Sequence, residues 1–365
     1  MEYTINLTEM LKPVWTGEKI YSKACTFIEE NGLCQVRLLY TPVAGSIHAV
    51  SYDGSTNYEE GTDYILSGDT VTLTADSRIP HGKPDDLILK DKVAADAELA
   101  AMSEDLGFGP VATSDGHYIT LSAINHPEYI TRFTVLFSYD TLEKGLGTRQ
   151  ESCLNRFPKL SEKLKSGHDC HFVLYGDSIS YGCDCSGLYH LAPHQPIWAE
   201  LVQKWLEQTF HNHIRLDNIS KPSADTVWAA EHCKERMSPE WKPDLVILGY
   251  GMNDRCHGEE YAKRTAALIK ITRKIYPGVE ILLIATTLPN KLVPTPPIYF
   301  YAHQDEFPAV LYDLQDTGIA VADVQKIQIA LMGKKRYIDL TGNFLNHPNG
   351  YLARVQAQTV AAALM

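Results

Sequence analysis

The stretch HFVLYGDSIS, residues 171–180, runs from a mostly apolar segment straight into Gly176, Asp177 and Ser178. A continuous apolar run, unlike an alternating one, is the pattern of a strand buried on both faces. The Gly-Asp-Ser that follows carries turn and helix-start chemistry. Ser178 then has two readings. It is a nucleophile exposed on a strand-to-helix turn, where the helix N-terminus stabilises developing negative charge, or it is an N-cap serine bonded to the backbone.

Similar short apolar runs recur at 214–219, 244–249, 279–285 and 319–323, separated by helix-like segments. Within 259–276, Tyr261, Leu268, Ile271 and Ile275 share one helical face, and Pro277-Gly278 ends the helix. Five buried strands alternating with helices predict an open three-layer α/β fold around a parallel sheet. In such folds ligands gather at the carboxyl ends of the strands. GDSIS follows the first strand, KPSADT (221–226) the second and GYGMND (249–254) the third, and NHPNG (346–350) precedes the last helix. The polar motifs thus converge on one edge of one sheet.

Ahead of this lies a different texture. QVRLLYT (35–41), SIHAVSYDG (46–54), TDYILSGDTVTLT (62–74) and YITRFTVLFSYD (129–140) are rich in β-branched and aromatic residues. YILSGDTVTL reads as two strands around a Ser-Gly-Asp turn. An all-β sandwich is expected over 1–150, with 92–109 as a short helix or excursion within it, then a linker over 151–166 and the α/β domain over 167–365.

The 365 residues exceed the usual span of one hydrophobic core. A formal charge of −12, with no basic patch to offset it, argues against nucleic acid or an anionic membrane as partner and suits a neutral small substrate. No long apolar run occurs, and MEYTINLTEMLKPVW lacks the pattern of a signal peptide, so a soluble, cytoplasmic protein is expected. Of eight cysteines only Cys183 and Cys185 lie close together, without the spacing of a zinc site.

The ordered motifs resemble the SGNH (GDSL-type) hydrolase superfamily, whose four blocks carry a Ser, a Gly, an Asn and a His. The chain is also similar to bacterial esterases of this superfamily, several of them carbohydrate acetylesterases, that place a β-sandwich before the hydrolase domain. The resemblance implies a flavodoxin-like, five-stranded α/β/α domain behind a jelly-roll-like one. It makes Ser178 the nucleophile and His347 the general base. The oxyanion donors would be the Ser178 N–H, the Ala224 N–H and the Asn253 side chain, with Asp177 fixing the turn and Asp254 completing its block. Ala224 stands where the family has Gly, and it keeps the N–H if the position needs no positive φ. Asp225, Thr226 and Trp228 are candidates to line the pocket.

The acid partner departs from the family. An Asp usually precedes the His by three residues, and here that position is Phe344; a pattern with Asp after the His-Pro-Asn is broken by Gly350. Three outcomes stay open: a Ser-His dyad oriented by a backbone carbonyl or by Asn343 or Asn346; an acid from elsewhere, with Asp339 nearest; or a weakened enzyme. The resemblance favours the dyad, acting through an acyl-enzyme with no metal or cofactor.

The expected substrate is an acetyl or other short acyl ester, on a carbohydrate. The aromatic Tyr299, Phe300 and Tyr301 in the proline-rich stretch 288–308 are candidates for a pocket wall. The β-rich region would bind carbohydrate or, the preferred reading, pack against the hydrolase and help shape the site or a homo-oligomer. The alternatives are a degenerate hydrolase acting as a carbohydrate-binding or scaffold protein, and a lipase or thioesterase for longer chains.

Overall fold

The computed structural model describes residues 6–102, 109–293 and 302–365. Ten short strands come first: β1 (Lys19–Thr26), β2 (Gln35–Arg37), β3 (His48–Ser51), β4 (Asn57–Tyr58), β5 (Tyr64–Ser67), β6 (Thr70–Leu73), β7 (Ile88–Leu89), β8 (Val111–Ala112), β9 (Tyr118–Ile119) and β10 (Thr134–Asp140). Five more follow: β11 (Cys170–Gly176), β12 (Ile214–Asn218), β13 (Leu245–Gly249), β14 (Glu280–Ala285) and β15 (Ile319–Asp323).

These last five match the five apolar runs and form an all-parallel sheet in the order β12-β11-β13-β14-β15. Their side chains sort by alternation into two cores. Phe172, Leu174, Ile247 and Ile284 face the helices Trp198–Phe210 and Gly350–Ala363. Val173, Tyr175, Val246 and Leu283 face the helices Thr226–Arg236, Gly258–Ile275 and Phe307–Asp313. Both faces are covered, which is why the strands read as unbroken apolar runs. Since the chain leaves β11 for β12 on one side and returns for β13 on the other, the crevice at the carboxyl ends of β11 and β13 is the topological switch point.

The stretch expected as a linker, 151–166, holds a helix, Pro158–Lys165, whose Leu160 and Leu164 are buried in the α/β core. Its first N–H groups, those of Lys159 and Leu160, donate to the buried Glu280 carboxylate at 3.0 and 2.9 Å. A helix N-terminus is what lets a strand carry a glutamate into the interior.

The preceding region is antiparallel. β1-β10-β3-β4 form one sheet, β2-β6-β5 a second and β7-β9-β8 a third. The first two share a core that includes Phe27, Val36, Tyr64, Val71 and Phe137. The Ser-Gly-Asp turn joins β5 to β6, with Ser67 opposite Thr70 and Gly68 at φ 60°. Two local expectations change. Residues 129–131, expected as the start of a strand, belong instead to the helix Pro127–Thr131 with Pro127 in its first turn, and the strand begins at Thr134. KIYSKACT, passed over in the sequence, is the long strand β1, in which Lys23 is buried.

The β-rich region is not a separate core. Ile327, Leu331, Tyr351, Leu352 and Val355 from the C-terminal helices lie in its hydrophobic cluster, and Met10 and Leu11 lie in that of the α/β sheet. Among the described residues no helix is long and apolar enough to cross a membrane.

Candidate active site

The turn after β11 is built for close approach. A Cβ at Gly176 would lie 2.3 Å from the Ser180 Oγ and 2.5 Å from the Gly249 carbonyl oxygen, so only glycine fits between the two strand ends. The cap of the short helix Ser178–Tyr181 is Asp177, whose Oδ1 accepts the Ile179 N–H at 2.9 Å. Ser178 is thereby left as the first helical residue, its hydroxyl uncommitted to capping. Its own N–H sits where no intrahelical acceptor exists. Gly182, at φ 103°, ends the helix under the Ile197 side chain. Asp177 is fully buried with no partner for its Oδ2. Burial pushes its carboxyl up to about 7, against the opposing Ile179 hydrogen bond and the nearby His347.

His347 comes from a tightly tied loop. Asn343 Oδ1 accepts the N–H groups of Leu345, Asn346 and His347, each at 3.0 Å, while its Nδ2 donates to Asn346 Oδ1 at 3.2 Å. Phe344 takes φ 58°, and its carbonyl accepts from Asn290 Nδ2 at 2.7 Å. Asn349 caps the final helix, accepting the Leu352 N–H at 3.1 Å. The imidazole so held bridges two groups. Its Nε2 is 2.9 Å from Ser178 Oγ, and its Nδ1 is 2.6 Å from Asp184 Oδ2. With Nδ1–H donating to the carboxylate, Nε2 is the acceptor for the serine hydroxyl.

This corrects the expected Ser-His dyad: the imidazole meets a carboxylate, not a carbonyl or an amide. Asn343 and Asn346 spend their oxygens within the loop. Asp339 points the other way, accepting the Thr26 N–H at 2.8 Å and pairing with Lys335 at 3.3 Å and Arg336 at 3.4 Å. Asp184 was missed because it belongs to the loop after the Ser178 helix, 163 residues before His347. It sits at φ 63°, a conformation Asp tolerates. A Cβ at Gly342 would come within 2.6 Å of the Asp184 Cβ, so that glycine is what admits the carboxylate to the histidine loop.

The loops after β12 and β13 close on this turn. Lys221 N–H donates to the Gly176 carbonyl at 2.9 Å. The positive φ falls on Ser223, at 65°, and Ala224 lies outside that region, so alanine is unstrained where the family has glycine. The Ala224 N–H is engaged by the Lys221 carbonyl at 3.2 Å. Its carbonyl accepts one Asn253 Nδ2 hydrogen at 3.0 Å, which leaves the amide's second hydrogen to donate elsewhere. Asp254 is buried and accepts from the Thr226 N–H at 3.1 Å and from the Thr226 hydroxyl; burial pushes its carboxyl up to about 6. Asp225 caps the helix Thr226–Arg236, and Trp228 stacks on His232 with centroids 4.3 Å apart.

Residues 174–354 match the model of the GDSL-like lipase/acylhydrolase family. That part of the chain is a GDSL-like acylhydrolase domain. No curated protein matches the sequence. Among solved structures, a two-domain esterase active on acetylated mannans is similar at 18% identity and TM-score 0.44, over 58% of this chain and 53% of that one. The chain thus aligns with about half the length of that esterase. A mutant of the acetyl-xylooligosaccharide esterase Axe2 from Geobacillus stearmophilus is similar at 16% identity and TM-score 0.43, over 54% of this chain and 94% of that one. LAE5, an alpha/beta hydrolase from the metagenome of Lake Arreo, Spain, is similar at 20% identity and TM-score 0.42, over 54% and 96%.

Beside the acylhydrolase domain the β-rich region contributes a cleft of about 520 Å³, lined by Tyr52, Asp53, Tyr58, Glu128, Tyr129 and Arg132 together with Ala192 from the Asp184 loop. Tyr52 also accepts the Gly350 N–H through its hydroxyl at 3.2 Å, which anchors the cleft three residues from His347. The aromatic wall expected from Tyr299, Phe300 and Tyr301 lies outside the described residues. Cys183 and Cys185 are free thiols, and burial pushes both up to about 12.

Proposed function

We propose that the protein is a serine ester hydrolase that removes acetyl or other short acyl groups from a carbohydrate. The observation that carries the reading is the unbroken line Asp184–His347–Ser178, with contacts of 2.6 and 2.9 Å. In this reading His347 Nε2 takes the Ser178 proton as Oγ attacks the ester carbonyl, then returns it to the departing alcohol. Water cleaves the acyl-enzyme by the reverse route. Asp184 holds the tautomer and stabilises the imidazolium, so a triad replaces the dyad. The Ser178 N–H and the second Asn253 amide hydrogen are the oxyanion donors, each worth about 3 kcal/mol of barrier. Ala224 adds its N–H once the turn bond to Lys221 yields.

The substrate class rests on the neighbouring cleft. Three tyrosines among carboxylates and hydroxyls offer flat apolar faces and hydrogen-bond acceptors, which is the chemistry a neutral sugar presents in reverse. A chain of net charge −12 also favours an uncharged ester. The eight unbridged thiols accord with a reducing compartment, the cytoplasm. The test is hydrolysis of 4-nitrophenyl acetate, then of butyrate and octanoate esters and of acetylated xylo- and manno-oligosaccharides. Rates should fall with acyl length and vanish in Ser178→Ala. Equal rates for wild type and Ser178→Ala overturn the hydrolase reading, and rates rising with acyl length overturn the short-acyl assignment.

A further inference from the structure

Away from Ser178, two imidazoles and a carboxylate meet at one point. His257 Nδ1 and His303 Nδ1 each lie 3.1 Å from the same oxygen, Glu306 Oε1. The two rings lie against each other with centroids 3.6 Å apart. All three ligand-capable atoms fall within 4.8 Å of one another, a grouping unique among the described residues. We infer that His257, His303 and Glu306 form a binding site for a borderline divalent transition-metal ion of the zinc class.

The local framework is fixed without any ion. Glu306 Oε2 accepts the Gly258 N–H at 2.7 Å, so the carboxylate is pinned over the first turn of the helix Gly258–Ile275. A side chain at 258 would place its Cβ only 3.1 Å from the Glu306 Cβ, so the glycine permits that approach. The turn that bears Glu306 is held in turn by Gln304, whose Nε2 donates to the Met252 carbonyl at 3.1 Å and whose carbonyl accepts from Gln325 at 2.8 Å. Glu306 Oε1 is left facing the two rings.

Distance and donor type select the ion. Zinc bonds of ~2.0–2.2 Å in a tetrahedron separate neighbouring ligand atoms by roughly 3.3–3.5 Å. The two 3.1 Å separations need only a few tenths of an ångström of opening. Two imidazoles with one carboxylate suit zinc, cobalt(II) or nickel(II), and not calcium or magnesium, which want an all-oxygen shell. His257 and His303 are 70% and 38% exposed, so the fourth position is open to water. The ion would tie the turn at 304–306 to the end of the loop that carries Asn253, four residues before His257. It is a staple between two segments at the active-site edge and takes no part in the ester chemistry.

The experiment is calorimetric titration of chelator-stripped full-length protein with zinc chloride, alongside cobalt(II) absorption and thermal unfolding. One ion per chain should bind at micromolar Kd and raise the Tm. His257→Ala, His303→Ala and Glu306→Gln should each weaken binding about tenfold or more. His213→Ala, at another exposed histidine beside a glutamate, should change nothing. Binding should persist in His347→Ala, which separates this site from zinc captured by the proposed catalytic imidazole. The inference is overturned by an absence of saturable zinc binding below ~100 µM, by binding insensitive to all three variants, or by binding lost in His347→Ala. None of these outcomes bears on whether the protein hydrolyses esters.

Discussion

The carboxyl edge of the parallel sheet and the seam where the β-rich region meets the acylhydrolase domain each bury an aspartate among ionisable groups, with opposite consequences. At the edge, the Asp184 carboxylate is bonded to the His347 imidazole, whose side chain keeps 20% exposure. At the seam, Asp339 is enclosed by permanent cations. Burial pushes its carboxyl up, but Lys335, Arg336 and the Thr26 N–H outweigh that and hold it below the usual carboxylate range. Lys335 in turn donates to the Arg37 carbonyl at 2.5 Å, and Arg336 donates to the Thr26 carbonyl, so the cluster stitches β1 and β2 to the C-terminal segment. A carboxylate saturated by fixed cations fastens two regions together. One bonded to a single imidazole at 2.6 Å can orient that ring.

The strongest break of this contrast is at the edge. Ser178→Ala and His347→Ala should each lower kcat by roughly 10⁴-fold or more with the fold retained, as read by ester hydrolysis and circular dichroism. Next comes a paired exchange. Asp184→Asn should cost about 10²–10⁴ in kcat with little loss of stability. Asp339→Asn should cost about 3–5 kcal/mol in urea unfolding, by leaving buried Lys335 uncompensated, with kcat kept within a few-fold. The reverse pattern would exchange the roles assigned to the two aspartates.

Opposite pH slopes sharpen the comparison further. The folded pKa of Asp177, about 7, lies above its ordinary value of 3.8, so between those limits the folded state holds the extra proton. Its contribution to stability is complete below pH ~4 and is lost as pH rises to ~7, a change of a few kcal/mol. Asp177→Asn should flatten that decline in unfolding free energy measured at pH 4.5, 6 and 7.5. At the seam, burial and then Lys335 push the Lys23 ammonium well below 10.5, and its Nζ has no hydrogen-bond partner. There the unfolded state holds the extra proton, so stability rises with pH up to ~10.5. Lys23→Met should therefore gain about 1–3 kcal/mol at pH 7, and the gain should vanish near pH 10.5. The smallest effect is expected of Ala224→Gly: within about 1 kcal/mol in stability and a few-fold in kcat, because the position does not need a positive φ. A large gain in kcat would mean that the alanine restrains the oxyanion loop.

Legibility differs between the regions for a physical reason. The parallel strands were readable because each is covered on both faces, and burial on both faces writes itself as an unbroken apolar run. Short antiparallel strands are specified by partners far along the chain. β1 was obscured by Lys19 and Lys23, since the aspartate that favours the buried Lys23 ammonium, Asp339, lies far along the chain. The helix at 127–131 was hidden because Tyr129, Ile130 and Thr131 suit a strand equally well, and Pro127 together with contact to β10 decides the matter.

By itself the sequence determined the five-stranded α/β architecture and the edge on which its motifs meet, and the family resemblance of those motifs pointed to Ser178, Asn253 and His347 there. These are local facts: apolar runs, a tight Gly-Asp-Ser turn and short polar motifs at strand ends. Only the tertiary structure decided which acid faces His347, that Asp339 belongs to the seam, and that His257, His303 and Glu306 converge. Each of those depends on two loops meeting at side-chain distance. Gly342 beside Asp184 and Gly258 beside Glu306 permit such meetings, but a missing Cβ does not say in the sequence which distant residue will fill the space.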